Sequence, residues 1–201
     1  MSVQATVAFC LCVSIPLLAQ GAPPRVRRVA AQLREQIPGV VSIRTLAQKP
    51  AAQAVKLVNK AEKLASRNKH KDAIGLLKKA LGVSPDYLLA HNRLGMEYDA
   101  AGDFESALAE FTEITRLDPN GVLGFANLAV EFCRMHRFPE AQAAGRHALA
   151  TDPSNEHAHF VLGLALLMGG GSEREARSHL HTASRSIPEA TEALAMLDAP
   201  R

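Results

Sequence analysis

Along residues 86–119, DYLLAHNRLGMEYDAAGDFESALAEFTEITRLDP, apolar side chains recur at three- and four-residue steps in two blocks. The first holds Leu88, His91, Leu94, Gly95 and Tyr98. The second holds Phe104, Ala107, Leu108, Phe111, Ile114 and Leu117. That spacing predicts two amphipathic helices rather than strands. Ala101-Gly102-Asp103 separates them: Gly102 stops the first helix, and Asp103 is placed to cap the second. Asp118-Pro119 ends the second block.

The same pattern returns along the chain. Pro85, Pro119, Pro153 and Pro188 close successive units at intervals of 34, 34 and 35 residues. Aligning on them gives a first-helix column of Leu57, His91, Phe125 and His159, and another of Lys60, Leu94, Leu128 and Leu162. A small column follows (Ala61, Gly95, Ala129, Gly163), then a larger one (Leu64, Tyr98, Phe132, Leu166). The second helix supplies Ala73, Ala107, Ala141 and Ala176, then Leu77, Phe111, Gly145 and Leu180, then Ala80, Ile114, Ala148 and Ala183. The last unit aligns only with one added residue, which Gly169-Gly170-Gly171 can absorb. A period of this size points to a stacked helical array. One helix pair cannot bury its own apolar face, so neighbours must stack on it.

Leu94-Gly95, Tyr98, Ala107, Phe111 and Pro119 together resemble the tetratricopeptide repeat (TPR). The resemblance covers residues 54–188. It implies an all-α fold, an α-solenoid of stacked antiparallel helix pairs wound into a right-handed superhelix. The units are residues 54–87, 88–121, 122–155 and 156–190. Lys60 stands where leucine is usual and Gly145 where a large side chain is usual, so the first repeat is expected to fray or tilt. Residues 191–201 form a capping helix and tail, because end repeats expose a face that internal ones bury.

Residues 1–19 carry no charge, and the apolar run from Ala5 to Ala19 is shorter than the roughly 20 residues a spanning helix needs. Residues 1–21 therefore read as a secretory signal, with small residues at Ala19, Gly21 and Ala22 for cleavage. The expected location is exported, periplasmic or secreted; the alternative is an anchor through residues 5–19. The first positive residues, Arg25, Arg27 and Arg28, follow the apolar run rather than precede it. Residues 22–53 are read as an N-terminal helix, over 25–37, and a linker. Removing the signal would remove Cys10 and Cys12 and leave Cys133 without an internal disulfide partner.

Charge is uneven. Residues 1–82 hold 14 Lys/Arg and 3 Asp/Glu, whereas residues 83–201 hold 9 and 17. The basic part suits an acidic partner or a head-to-tail contact with another copy. Nucleic acid is not expected, since the first helix pair lacks aromatic residues for base stacking.

No GxSxG, HExxH, CxxC, P-loop or dinucleotide fingerprint occurs, so neither catalysis nor a cofactor is expected. His157, His159, His179 and His181 crowd into one repeat, and His-x-His is a metal-ligand pattern. On a helix, however, residues two apart point to different faces. A four-histidine metal site is thus the unfavoured alternative.

The resemblance implies that the first helix of each pair lines a concave groove. In this sequence that face carries Asn59, Asn92, Arg93, Met96, Asn127, Val130 and Arg134, and it grades to apolar in the fourth repeat. Asn59, Arg93 and Asn127 share one register and could hold an extended peptide backbone. Arg93 and Arg134 could receive a carboxylate. Val58 and Glu62 stand where the family's carboxylate-clamp members carry Lys and Asn, which disfavours a chaperone-tail receptor. The expected function is a non-catalytic protein-binding scaffold; the alternative is a self-associating subunit of an envelope complex. Membrane contact is expected only through an uncleaved N-terminal segment.

Overall fold

A computed structural model of the chain describes residues 49–198. The expected signal over 1–21, the helix over 25–37 and the last three residues of the tail lie outside them. Within the described residues the structure is helical throughout. Its elements are α1 (Ala52–Ala65), α2 (His70–Val83), α3 (Leu88–Ala100), α4 (Phe104–Leu117), α5 (Val122–Arg134), α6 (Phe138–Thr151), α7 (Glu156–Met168), α8 (Glu173–Ala183) and α9 (Pro188–Asp198). Contacts are richest within the pairs α1–α2, α3–α4, α5–α6 and α7–α8. Each pair then stacks on the next, and α9 packs on α8. This is the α-solenoid of antiparallel pairs that the columns predict.

The turn inside each pair has one construction, repeated. Among the described residues, those with positive φ are Asn68 (57°), Gly102 (78°), His136 (60°) and Gly170 (72°), evenly spaced at the repeat period. One residue later a backbone N–H returns to the helix just ended: Lys69 to Leu64, Asp103 to Tyr98, Arg137 to Phe132 and Gly171 to Leu166. This is a Schellman closure, and it satisfies carbonyls that a helix end would otherwise leave open. In the first three pairs the residue making that bond also serves as N-cap of the next helix. Asp103 does so with its side chain, accepting from the Ser106 N–H at 3.2 Å. In the fourth pair the two jobs fall to two residues. Gly171 closes α7, and Ser172 caps α8 by accepting from the Glu175 N–H. The added residue of the 35-residue interval is this separation.

Histidine is an uncomfortable occupant of the left-handed region, where Cβ crowds the following carbonyl. His136→Gly is expected to stabilise the protein by about 1 kcal/mol, seen as a higher midpoint in urea unfolding. An unchanged or lower midpoint would show that the turn carries no such cost.

Turns between pairs are also alike. Ser84, Asp118 and Asp152 end α2, α4 and α6 with φ near −135°, the extended geometry that a following proline imposes. Pro188 departs from the series: it opens α9, at the first helical turn, where its missing N–H is harmless.

The columns pack by complementary size. A Cβ on Gly95 would lie 2.5 Å from the Phe111 ring, and one on Gly163 would lie 2.9 Å from Leu180. Gly145 takes the place of a large residue because the next repeat fills that space: its Cβ would stand 3.1 Å from Leu162. Lys60 is exposed, and α1 continues past it without fraying. Ala107 is fully buried in the α3–α4 pair. Ala107→Leu should overpack that contact and cost about 1–3 kcal/mol; thermal unfolding within a degree of the parent would contradict it.

Candidate functional site

The inner helices α1, α3, α5 and α7 carry the face expected to bind. Several of its outward positions become less exposed along the array. Asn59 on α1 is open to solvent, Arg93 and Met96 on α3 are half-buried, and Val130 on α5 is buried. On α7 Phe160, Val161, Leu164 and Leu167 are at most 2% exposed, and they share one hydrophobic cluster with Ala190, Ala193, Leu194 and Leu197 of α9. The C-terminal helix therefore belongs to the core that takes up the apolar end of the face. Arg177 ties α9 down, donating to Asp198 at 2.6 Å and to the Leu197 carbonyl at 3.1 Å. Ser186 bonds to Glu156 across the same end.

One register of that face turns inward. Val58, Asn92, Ala126 and Phe160 stand one repeat apart, and each has no exposed surface. Successive inner helices approach closely enough to bury this column between repeats, as α5 and α7 do. Asn92 is consequently a packing residue. Its side-chain oxygen accepts from the Asn127 amide at 2.6 Å, and Asn127 itself is 2% exposed. The two amides bolt α3 to α5.

Two ion pairs add to this frame. Arg93 donates through Nε to Glu62 at 2.8 Å, joining α3 to α1. Arg134 lies 3.2 Å from Asp99, joining α5 to α3, with its side chain 16% exposed. The Arg93–Glu62 pair, partly open to water, contributes little stability; the atoms that meet in the Arg134–Asp99 pair are closed to water, and both pairs fix where the side chains point. Arg93 also directs Nη1 toward the Met96 sulfur at 3.8 Å. The five N–H groups of a guanidinium are not exhausted by these two bonds.

Of the seven residues expected to bind, the structure leaves Asn59 free in solvent, Arg93 and Met96 reachable, and Arg134 near the surface. It assigns Asn92, Asn127 and Val130 to the interior. Sequence reading missed the partners Glu62 and Asp99 and the buried Glu131, which is 1% exposed. The available signal was opposite charge on adjacent repeats, in Glu62 with Arg93 and in Asp99 with Arg134.

The histidines also separate. His159 meets His179 across α7–α8 with Nδ1–Nδ1 at 2.7 Å. His157 faces elsewhere, and Glu189 of α9 is the charge that acts on it. His181 is exposed. Among the described residues no three His, Cys, Asp or Glu side chains cluster in a way that could hold a metal ion. No helix among them is long and apolar enough to cross a membrane.

Two family models match the sequence, both described as tetratricopeptide repeat, over residues 64–124 and 127–180. No curated protein matches the chain. Solved structures match in fold. MamA (residues 41 to the end) from Desulfovibrio magneticus RS-1 superposes with a TM-score of 0.61 at 16% identity, covering 74% of this chain and 93% of that one. A thermophilic TPR protein of Thermus thermophilus gives 0.62 at 20% identity, covering 72% and 80%. The first TPR of Spaghetti (RPAP3), bound to an HSP90 peptide, gives 0.53 at 18% identity, covering 56% and 90%.

Proposed function

Because the chain belongs to the tetratricopeptide-repeat family, we propose that it is a non-catalytic binding scaffold that holds an extended segment of a partner protein on its inner-helix face. The observation that carries this reading is the frame around Arg93. Glu62, Met96 and the Asn92–Asn127 bolt fix that helix face before any partner arrives, and a prearranged face loses less entropy on binding. Arg93 retains N–H donors for a carboxylate or a backbone carbonyl, and the exposed Asn59 amide stands one repeat away in the same register. Asn92 and Asn127 support the face rather than touch the ligand. That the first TPR of Spaghetti (RPAP3), similar in fold, is bound to an HSP90 peptide supports peptide capture as a use of this fold.

The test compares partners captured by the parent with those captured by an Asn59→Ala, Arg93→Ala variant of matched helicity. Neither side chain is buried, so the variant should fold. A partner held by the parent and lost by the variant supports the reading. A partner held equally by both overturns it.

Self-association is a second reading, favoured by the exposed Lys56, Lys60 and Lys63 on one side of α1 against the acid excess of residues 83–201. Capture of the protein's own chain alone, with an oligomer that dissociates as salt rises, would favour it. We also propose export, or anchoring through residues 5–19, on the composition of the N-terminus.

A further inference from the structure

His91 and His159 stand two repeat periods apart, and their surroundings are alike on one side only. Each ring faces a proline carbonyl through Nε2: Pro85 at 2.8 Å and Pro153 at 3.0 Å. A carbonyl only accepts, so Nε2–H donates in both. In a neutral ring this leaves Nδ1 as an acceptor. In repeat two Nδ1 faces the Glu110 carboxylate at 2.7 Å. Two acceptors would then confront each other, so the contact is satisfied when the ring carries a second proton. In repeat four Nδ1 faces the Nδ1 of His179 at 2.7 Å. His179 occupies the position of Glu110, shifted by the one residue added in the last turn. A neutral pair is satisfied when His179 Nδ1–H donates to His159. A first proton can sit on His179 Nε2 with that bond intact. A second places N–H against N–H, with two positive rings in contact.

We propose that repeat four is an acid-released end of the array: double protonation of the His159–His179 pair separates α8 from α7 and frees α9 with it, while the equivalent contact in repeat two tightens. The release would uncover the apolar inner face of α7. The neighbouring charges do not cancel the effect. Glu175, on the same helix as His179, lies 4.0 Å from Nε2 but is drawn to Arg146 of α6 at 3.2 Å. Asp152, in the turn before α7, is held by Ser154 and Asn155 and keeps its charge, which attracts a positive His159 but does not reach between the two facing N–H groups. From α9, Glu189 acts on His157, whose Nε2 is buried without a hydrogen-bond partner. That second histidine adds to the same response.

The titration directions agree. Burial, then the charge of His159 and of Arg146, hold His179 below the ordinary imidazole value, against the pull of Glu175. Burial pushes His157 down to about 4. For both, the unfolded end binds protons that the folded end does not, so stability falls as pH drops below about 6.5, the ordinary value. His91 has the opposite sign. Burial opposes its protonation but is outweighed by the Glu110 and Pro85 hydrogen bonds, and its value is raised. Its contribution is complete below the ordinary histidine range and is lost as pH rises through the raised value.

Native-state hydrogen exchange on the full chain, corrected for intrinsic rates, tests this between pH 7.5 and 5. Protection of α8 and α9 should fall at least about tenfold relative to α3 and α4. His179→Glu rebuilds the repeat-two arrangement and should remove the pair's share of that fall, leaving the part that His157 contributes. His179→Gln, which keeps a donor toward His159 but cannot charge, should reduce it. Glu110→His should move acid sensitivity into repeat two. Variant helicity at pH 7.5 confirms folding, and His157 is constant throughout. A uniform loss of protection, no loss in α8 and α9, or a parent-like loss in both His179 variants would overturn the proposal.

Discussion

Truncating Phe160 to alanine is expected to destabilise the C-terminal half of the array by about 3–5 kcal/mol, the range for emptying a buried aromatic site. Phe160 has no exposed surface and lies in the cluster that joins α5, α7 and α9. Collapse around the void is limited, because α7 is buried along its inner face and its partners are held by α8 and α9. In a repeat array stability is close to a sum of unit and interface terms. The loss should therefore appear as early melting of the last repeat, with α1–α4 retained. Limited proteolysis across a temperature ramp checks this: cleavage should begin in residues 156–198. Simultaneous melting of all repeats at the parent's midpoint would contradict the assignment of Phe160 to this junction.

The second large effect is expected at Asn127. Asn127→Ala should cost about 1–3 kcal/mol, since it removes the donor from a buried Asn92 oxygen and leaves that oxygen unpaired. The paired replacement Asn92→Leu, Asn127→Leu should cost less than the sum of the two single changes, because no lone acceptor remains. A double-mutant cycle in urea measures the difference, and strict additivity would show that the two amides do not interact. The result also bears on binding experiments. A loss of partner through Asn127→Ala would mix a weakened frame with a missing contact, which is why Asn59 and Arg93 are the cleaner probes.

The repeat, its turns and most of its core were legible from side-chain size and period alone. Gly102 and Asp103 act as their types require, and the complementary Gly95–Phe111 pair follows from the columns. Gly145 looked like a defect because a single-repeat view omits Leu162, which arrives from the next unit. The face was legible less fully. Helical register says which way Asn92 points, but not that the neighbouring inner helix comes near enough to bury it. Arg93 and Arg134 read as open charges because their partners, Glu62 and Asp99, sit on the preceding repeat at a distance that depends on stacking. The histidines show both sides of this. The two-residue spacing correctly separates His157 from His159. The meeting of His159 with His179 depends on a single added residue in a turn, whose effect on register across helices no periodicity reveals.

That added residue has a practical side. Where Gly171 closes one helix and Ser172 opens the next, the chain has no residue that must do both. Lengthening a flexible loop costs only about 0.6 kcal/mol per doubling. The bond between Gly171 and Ser172 is therefore the place in the solenoid where foreign sequence, such as a short tag or a tethered reporter, can be spliced in while both flanking helices keep their ends.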